Sequence, residues 1–251
     1  MATFAVILPA AGRSSRFRDQ NYKKPFAPLS GRAVWLHSAE RFLNRADVKQ
    51  VIVVIAEDDR EEFSRKFGAN IAIMGVEVCI GGAERADSVQ NALAKVRADI
   101  DFIAIHDAAR PCLADKWVDA VFAAAEKTGA AMLATPISAT LKRVAKSSGG
   151  GHPTVAETVD RAGLWEAQTP QVFRRELITK AYASRGGAAL TDDAQLVEKL
   201  GAPVALVDGS PMNLKVTTKD DLKLAEQILK VLPKAKPEGF SHPFAGDDMW
   251  R

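Results

Sequence analysis

Cysteine, aromatic residues, net charge and long apolar runs are all scarce in this chain, and each scarcity removes a class of protein. Cys79 and Cys112 are the only two cysteines in 251 residues, and neither has a second cysteine or a histidine at zinc-ligand spacing. A disulfide scaffold and a structural zinc site are excluded. Two unpaired thiols fit a reducing compartment, so a cytoplasmic location is expected. With 34 Lys and Arg against 31 Asp and Glu, the net charge of +3 is too weak a field to capture a nucleic-acid backbone or a membrane face non-specifically. The apolar opening, residues 1–8, has no basic leader and is closed by Pro9, far short of a signal or spanning segment. It reads as a first core strand. Two phosphate-loop signatures are missing as well. No Gly-Lys-Ser/Thr ending is present, and only Gly12 stands where the dinucleotide fingerprint needs three glycines. A P-loop hydrolase and an NAD-binding dehydrogenase are disfavoured.

What is present is a rhythm. Val- and Ile-rich runs at residues 4–8, 51–56, 76–80, 102–105 and 131–135 are continuously apolar rather than alternating, as strands covered on both faces are. Helical spacing follows at 34–42, 59–67, 86–96 and 115–127, the last ahead of the stop signal Gly129. Alternating strand and helix predicts an α/β fold with a doubly wound, mainly parallel, Rossmann-like sheet. After Pro136 the rhythm breaks. Two strand-like arms, 140–144 and 154–159, flank Ser147-Ser148-Gly149-Gly150-Gly151 and predict a projecting β-hairpin. Regular structure resumes with helices near 174–184 and from Thr191-Asp192-Asp193, a strand at 204–207, and a last helix behind the capping box Thr218-Lys219-Asp220-Asp221. The length suits one large domain or two small ones; a single domain is expected over residues 1–232 with the arm at about 138–160, followed by a Pro- and Gly-rich tail at 233–251.

Chemistry concentrates first in Leu8-Pro9-Ala10-Ala11-Gly12-Arg13-Ser14-Ser15-Arg16-Phe17, directly after the first strand, with Lys24-Pro25-Phe26 behind it. A loop of small residues at the carboxyl end of a parallel strand lets backbone N–H groups approach phosphate oxygens, and Arg16 and Lys24 supply cations. The plain alternative is an ordinary strand-to-helix turn with solvated cations. Asp107, ending the fourth strand-like run, stands where an open α/β sheet presents its ligand crevice; alternatively it caps a helix or pairs with Arg110. His106 reads as a packed strand-end residue rather than a base. Gly81-Gly82 alone is readable as a simple turn.

Six ordered blocks carry a resemblance. The first loop joins Gly81-Gly82-Ala83-Glu84-Arg85-Ala86-Asp87-Ser88-Val89, His106-Asp107-Ala108-Ala109-Arg110-Pro111, Thr158-Val159-Asp160-Arg161, Thr169-Pro170-Gln171 and Asn213-Leu214-Lys215-Val216-Thr217. Together they resemble the 2-C-methyl-D-erythritol 4-phosphate cytidylyltransferase family, within the sugar-nucleotide pyrophosphorylase and cytidylyltransferase superfamily. The resemblance implies cytidylyl transfer from CTP to 2-C-methyl-D-erythritol 4-phosphate with release of pyrophosphate, in the non-mevalonate route to isoprenoid precursors.

By similarity, the catalytic set is Arg16 and Lys24 over the triphosphate, with Arg161 and Lys215 holding the incoming phosphate. The resemblance also implies CTP contacts from Pro9, Ala10, Ala11, Gly12, Gly82, Ala83, Ser88, Asp107 and Ala108. Acceptor contacts are implied for Asp107, Arg110, Thr140, Arg161, Thr169 and Lys215. Mg²⁺ is expected, held mainly by CTP phosphates and water, with Asp107 a water-mediated partner and no residue assigned as a direct metal ligand. The family is a homodimer whose hairpin arms cross to the partner, so the arm is expected to serve dimerisation. Ser14 replaces a second loop glycine, and Ala83 stands where relatives carry an acidic residue. The nearest alternative is a ribitol 5-phosphate cytidylyltransferase, and beyond it a non-catalytic CTP-binding module. Retention of both the CTP-side and acceptor-side cations argues against the module.

Overall fold

Continuous apolarity dictates where the strands lie, and the computed structural model, which describes residues 1–12, 17, 23–145, 152–186 and 190–233, places them at the centre. The chain opens with β1 (Phe4–Pro9), then a short 3-10 turn at Lys24–Phe26 and a ribbon of β2 (Pro28–Leu29) and β3 (Arg32–Ala33). It continues through α1 (Val34–Leu43), β4 (Val48–Ile55), α2 (Arg60–Met74), β5 (Glu77–Ile80), α3 (Arg85–Leu93), β6 (Phe102–Ile105), α4 (Asp115–Thr128) and β7 (Ala130–Pro136). The second half holds β8 (Leu141–Val144), β9 (Val155–Val159), β10 (Trp165–Arg174), α5 (Arg175–Ala183), α6 (Ala194–Lys199), β11 (Ala205–Asp208) and α7 (Lys219–Val231).

Seven strands form one sheet in the order β11-β7-β10-β6-β1-β4-β5. β1 pairs in parallel with both β4 and β6, β4 with β5, and β11 with β7. Side chains alternate between faces. Val6 and Leu8 pack with α1, α2, α4 and α7, through residues such as Trp35, Phe63, Val118 and Ala225. Ile7, Ile52 and Val54 pack with α3, α5 and α6, through Val89, Ile178 and Val197. Both faces are therefore covered, as a doubly wound sheet requires.

Two details depart from the sequence expectation. β10 runs antiparallel between β6 and β7, where no strand was expected. Pro170 and the polar Gln168, Thr169 and Gln171 mask it, since proline normally demotes a run from a sheet interior. The ladder to β7 accommodates them with a register shift between Ala167 and Gln171. Helix α2 also extends to Met74, past the expected end at residue 67. Gly68 is carried inside it, and the stop is Gly75, whose φ of 63° provides a left-handed C-cap.

The predicted arm is present as an antiparallel pair of β8 and β9, outside the seven-stranded sheet, with Val144 and Val155 exposed. The tip, residues 147–151, and the tail beyond residue 233 lie outside the described residues. The final helix has its capping box: Thr218 Oγ1 accepts from the Asp221 N–H at 3.2 Å, and Asp221 Oδ2 accepts from the Thr218 N–H at 2.8 Å.

From β1 the chain builds outward through β4 to β5, then returns by α3 to place β6 on the other side of β1. The loops leaving β1 and β6 part there, opening a crevice at the strand carboxyl ends. Beside it, the Lys24–Phe26 turn is seated on an aromatic cluster. Phe63 lies 5.3 Å from Phe26, 5.2 Å from Trp35 and 5.2 Å from Phe67, ring centre to ring centre. Phe63→Ala is expected to cost about 3–5 kcal/mol of folding free energy, read from urea unfolding; a loss below about 1 kcal/mol would show that the cluster does not anchor the turn.

Candidate active site

Five segments close around the crevice, and local constraints fix the first three. At the end of β1, the Ala10 N–H donates to the Val54 carbonyl at 2.7 Å, so the small-residue loop begins pinned against β4. Gly81 and Gly82 then bring the start of α3 against that loop. A Cβ on Gly81 would lie 2.6 Å from Ser88 Oγ and 2.9 Å from Ala11 Cβ, and one on Gly82 would lie 2.3 Å from Asp87 Cβ. Only glycine permits this approach. Ser88 Oγ accepts from the Gly82 N–H and donates to the Glu84 carbonyl, both at 3.1 Å, while Asp87 accepts from the Glu84 N–H at 3.0 Å. The N-terminal end of α3 is thereby held at the cavity wall, where its dipole favours anionic groups.

Lys24 enters from the 3-10 turn, which has Pro25 in its first turn; the neighbouring Lys23 is tied to Asp59 at 2.6 Å. The resulting cavity of about 450 Å³ is lined by the first loop, Lys24, the Gly82–Arg85 corner, Ser88, Asp107 and Lys215 among others.

Asp107 is the electrostatic centre. It is buried, its N–H donates to Thr169 Oγ1 at 3.0 Å, and its carboxylate meets three cations. Lys215 Nζ lies 2.6 Å from Oδ2, Arg85 Nη2 lies 3.5 Å from Oδ1, and Arg110 Nε lies 3.9 Å from Oδ2. Burial pushes this carboxyl upward, yet Arg85, Lys215 and Arg110 outweigh it and hold the group well below the usual carboxylate range. Behind it, Arg110 Nη1 donates to the Asn213 carbonyl at 2.7 Å, and Asn213 Nδ2 donates to the Thr169 carbonyl at 2.9 Å. The Val216 N–H donates to the Ala109 carbonyl at 2.8 Å. These bonds lock the Lys215 segment to the β6 loop and to β10.

His106 is fully buried. Its Nε2 lies 3.0 Å from the Arg110 carbonyl and its Nδ1 3.1 Å from Thr169 Oγ1. Burial pulls its pKa down to about 4. It packs the strand end and does not reach the cavity.

The structure brings together Pro9, Ala10, Ala11, Gly12, Lys24, Gly82, Ala83, Ser88, Asp107 and Lys215 on one wall system. Ala108 is fully buried, its carbonyl accepting from Ser38 Oγ at 3.0 Å, and Ala109 lines the cavity in its place. Arg110 and Thr169 are buried beneath Asp107 as its supports. Thr140 and Arg161 are exposed at the base of the arm, with Arg161 donating to the Ser138 carbonyl, and neither lines this cavity. Arg16 lies outside the described residues.

Sequence reasoning gave no role to Arg85, which lines the cavity with Glu84, Pro25 and Ala109. A signal was available. A cation in the first turn of a helix opposes the dipole, so Arg85 at the start of α3 implies a carboxylate partner. It has two, Asp107 and Asp193.

Comparison with known proteins bears on the family and the fold. The family model described as 2-C-methyl-D-erythritol 4-phosphate cytidylyltransferase, IspD, matches residues 4–231. A protein of that description from Rhodopirellula baltica is 43% identical over 239 residues, covering 91% of this chain and 95% of the relative. Another from Endomicrobium trichonymphae is 43% identical over 226 residues, covering 90% and 98%. The crystal structure of the Thermus thermophilus 2-C-methyl-D-erythritol 4-phosphate cytidylyltransferase superposes with a TM-score of 0.72 at 31% identity, over 92% of this chain and 100% of that one.

A carboxylate whose folded pKa is depressed contributes stability that is fully present above its unfolded pKa of about 4 and is lost as pH falls through the folded value. The difference in unfolding free energy between the wild type and Asp107→Asn is therefore expected to be largest near neutral pH and to narrow below about pH 4. Urea titrations across that range check it; a difference that does not change with pH would contradict the ion cluster.

Proposed function

The chain belongs to the 2-C-methyl-D-erythritol 4-phosphate cytidylyltransferase family, and from that premise we propose how its cavity performs the reaction. The enzyme transfers a cytidylyl group from CTP to 2-C-methyl-D-erythritol 4-phosphate, releasing pyrophosphate, in isoprenoid precursor synthesis. A phosphate oxygen of the acceptor attacks the α-phosphorus of CTP. Attacker and target are both anionic, so the site must neutralise repulsion, align the reactants in line and stabilise charge growing on the α-phosphate and the leaving pyrophosphate. A phosphate monoester is already largely ionised near neutral pH, so neither a covalent nucleophile nor a strong base is needed.

One observation carries the assignment of roles: Lys24 and Lys215, far apart in the chain, line the same cavity as the small-residue loop and Asp107. We assign Lys24, together with Arg16, to the triphosphate and its transition-state charge, and Lys215 to the acceptor phosphate. Asp107 holds the Lys215 ammonium at 2.6 Å and presents the acceptor side. The first loop, Gly82, Ala83 and Ser88 supply short-range walls on which main-chain groups read the cytosine. Arg110 acts on the acceptor side from beneath, through Asp107 and the Asn213 carbonyl.

Arg161 and Thr140 belong to a different part of the proposal. Both are exposed at the arm base, the arm carries exposed Val144 and Val155, and an isolated two-stranded ribbon is marginal in water. We propose a homodimer in which the arm packs on the partner and delivers these two residues to the neighbouring cavity.

Mg²⁺ is proposed as the companion of CTP, supplying further charge neutralisation at the phosphates. The donor set fits an ion held by phosphate oxygens and water: both Asp107 oxygens already face Lys215 and Arg85, and no group of three or more potential ligand side chains occurs among the described residues. A cytoplasmic setting is proposed on the buried, unpaired Cys79 and Cys112. No helix among the described residues is long and apolar enough to cross a membrane.

Neutralising Arg16 or Lys24 to alanine is expected to lower turnover roughly 100- to 1000-fold, as losing one preorganised oxyanion donor does, measured by pyrophosphate release from CTP and 2-C-methyl-D-erythritol 4-phosphate. An effect of about tenfold or less from both variants would contradict their assignment. Mass measurement in dilute solution is expected to give a dimer, and a fully active monomer would remove the arm proposal.

A further inference from the structure

We propose that Asp193 is a positioning residue for the acceptor end of the cavity, acting through Arg85 and Asp107 on Lys215. The inference rests on the reading of Lys215 as the acceptor-phosphate cation. Asp193 sits at the N-terminal edge of α6 and is fully buried. An ionised carboxylate in that position is costly unless its oxygens are satisfied, and here they are. Arg85 reaches both oxygens, Nη1 to Oδ1 at 3.1 Å and Nη2 to Oδ2 at 2.8 Å. The Tyr182 hydroxyl donates to Oδ1 at 2.5 Å. The backbone is fixed too, since the N–H groups of Asp193 and Ala194 donate to Gln171 Oε1 at 3.1 and 3.0 Å.

The consequence lies in how Arg85 is shared. Its Nη2 stands between two carboxylates, 2.8 Å from Asp193 and 3.5 Å from Asp107. Asp193 therefore engages the guanidinium fork and keeps it from closing bidentately on Asp107. That leaves Asp107 Oδ2 to hold Lys215 at 2.6 Å. Arginine forks prefer paired contact with one carboxylate. With the Asp193 charge removed, the fork is free to turn onto Asp107 and compete with Lys215 for it. A pair serving only to hold the fold has no need to end on a cavity wall, yet Arg85 lines the cavity.

Asp193→Asn is expected to raise the acceptor KM about tenfold while the CTP KM changes less than about twofold, a coupling within the range found for residues sharing one ion-pair network. In a Lys215→Ala background the same substitution is expected to add less than about twofold, because its effect runs through that lysine. Should the two substitutions multiply instead, the inference is overturned while the reading of Lys215 stands. Should Lys215→Ala leave the acceptor KM at the wild-type value, the reading of Lys215 falls and the inference with it. If Asp193→Asn does not fold, Arg85→Lys serves as the second probe. It keeps the charge, loses the fork and sits at a partly exposed site. Its acceptor KM is expected to rise in the same selective way, and an unchanged value overturns the proposal.

Discussion

The carboxylate of Asp107 is surrounded by Lys215, Arg85 and Arg110, and the organisation of the cavity follows from that concentration of unlike charge. Three cations converging without an anion would repel one another and resist burial. With Asp107 among them they stay together, and two of them, Lys215 and Arg85, line the cavity. A protein that must hold two anionic reactants side by side needs such cations in place before either arrives. The same carboxylate takes the middle position in a chain of contacts from Lys215 to Arg85 and on to Asp193 and Tyr182. The electrostatics of the cavity and the packing of the interior are thus joined through one side chain.

Steric constraints around this centre are equally tight. Gly81 and Gly82 exist where any Cβ would strike Ser88, Ala11 or Asp87, so the approach of α3 to the first loop depends on the absence of side chains. The Lys24 turn is held differently, by aromatic rings beneath it and by the ion pair of Lys23 with Asp59. One wall of the cavity is shaped by what has been removed and another by what has been packed.

Much of this was legible in the residue order because local signals and tertiary demand agree. Buried parallel strands need unbroken apolar runs, and β1, β4 and β6 have them. The capping box of α7 and the hairpin of β8 and β9 carry their own local chemistry. The first loop, Lys24, Asp107 and Lys215 were identifiable because their blocks keep a family order. β10 was not legible, since its middle is polar and contains Pro170, and only its neighbours β6 and β7 make it a strand. Asp193 was likewise hidden, and although the place of Arg85 in the first turn of α3 implied a carboxylate partner, it did not say which. Their pairing spans 108 positions, and nothing local to either residue names the other. Of the two alanines after Asp107, both buried, Ala109 is the one that lines the cavity.

The position of β10 in the sheet also bears on how the chain is made. β6 borders only β1 and β10, and β7 borders only β10 and β11. Until residues 165–174 emerge during synthesis, β6 presents an open hydrogen-bonding edge and β7 has no neighbour at all. Unpaired edges of this kind invite wrong pairing. A ribosome-bound fragment ending at β7 is accordingly a stub with an open flank at β6, and the late strand acts as a keystone that seats β7 beside that flank in a single sheet.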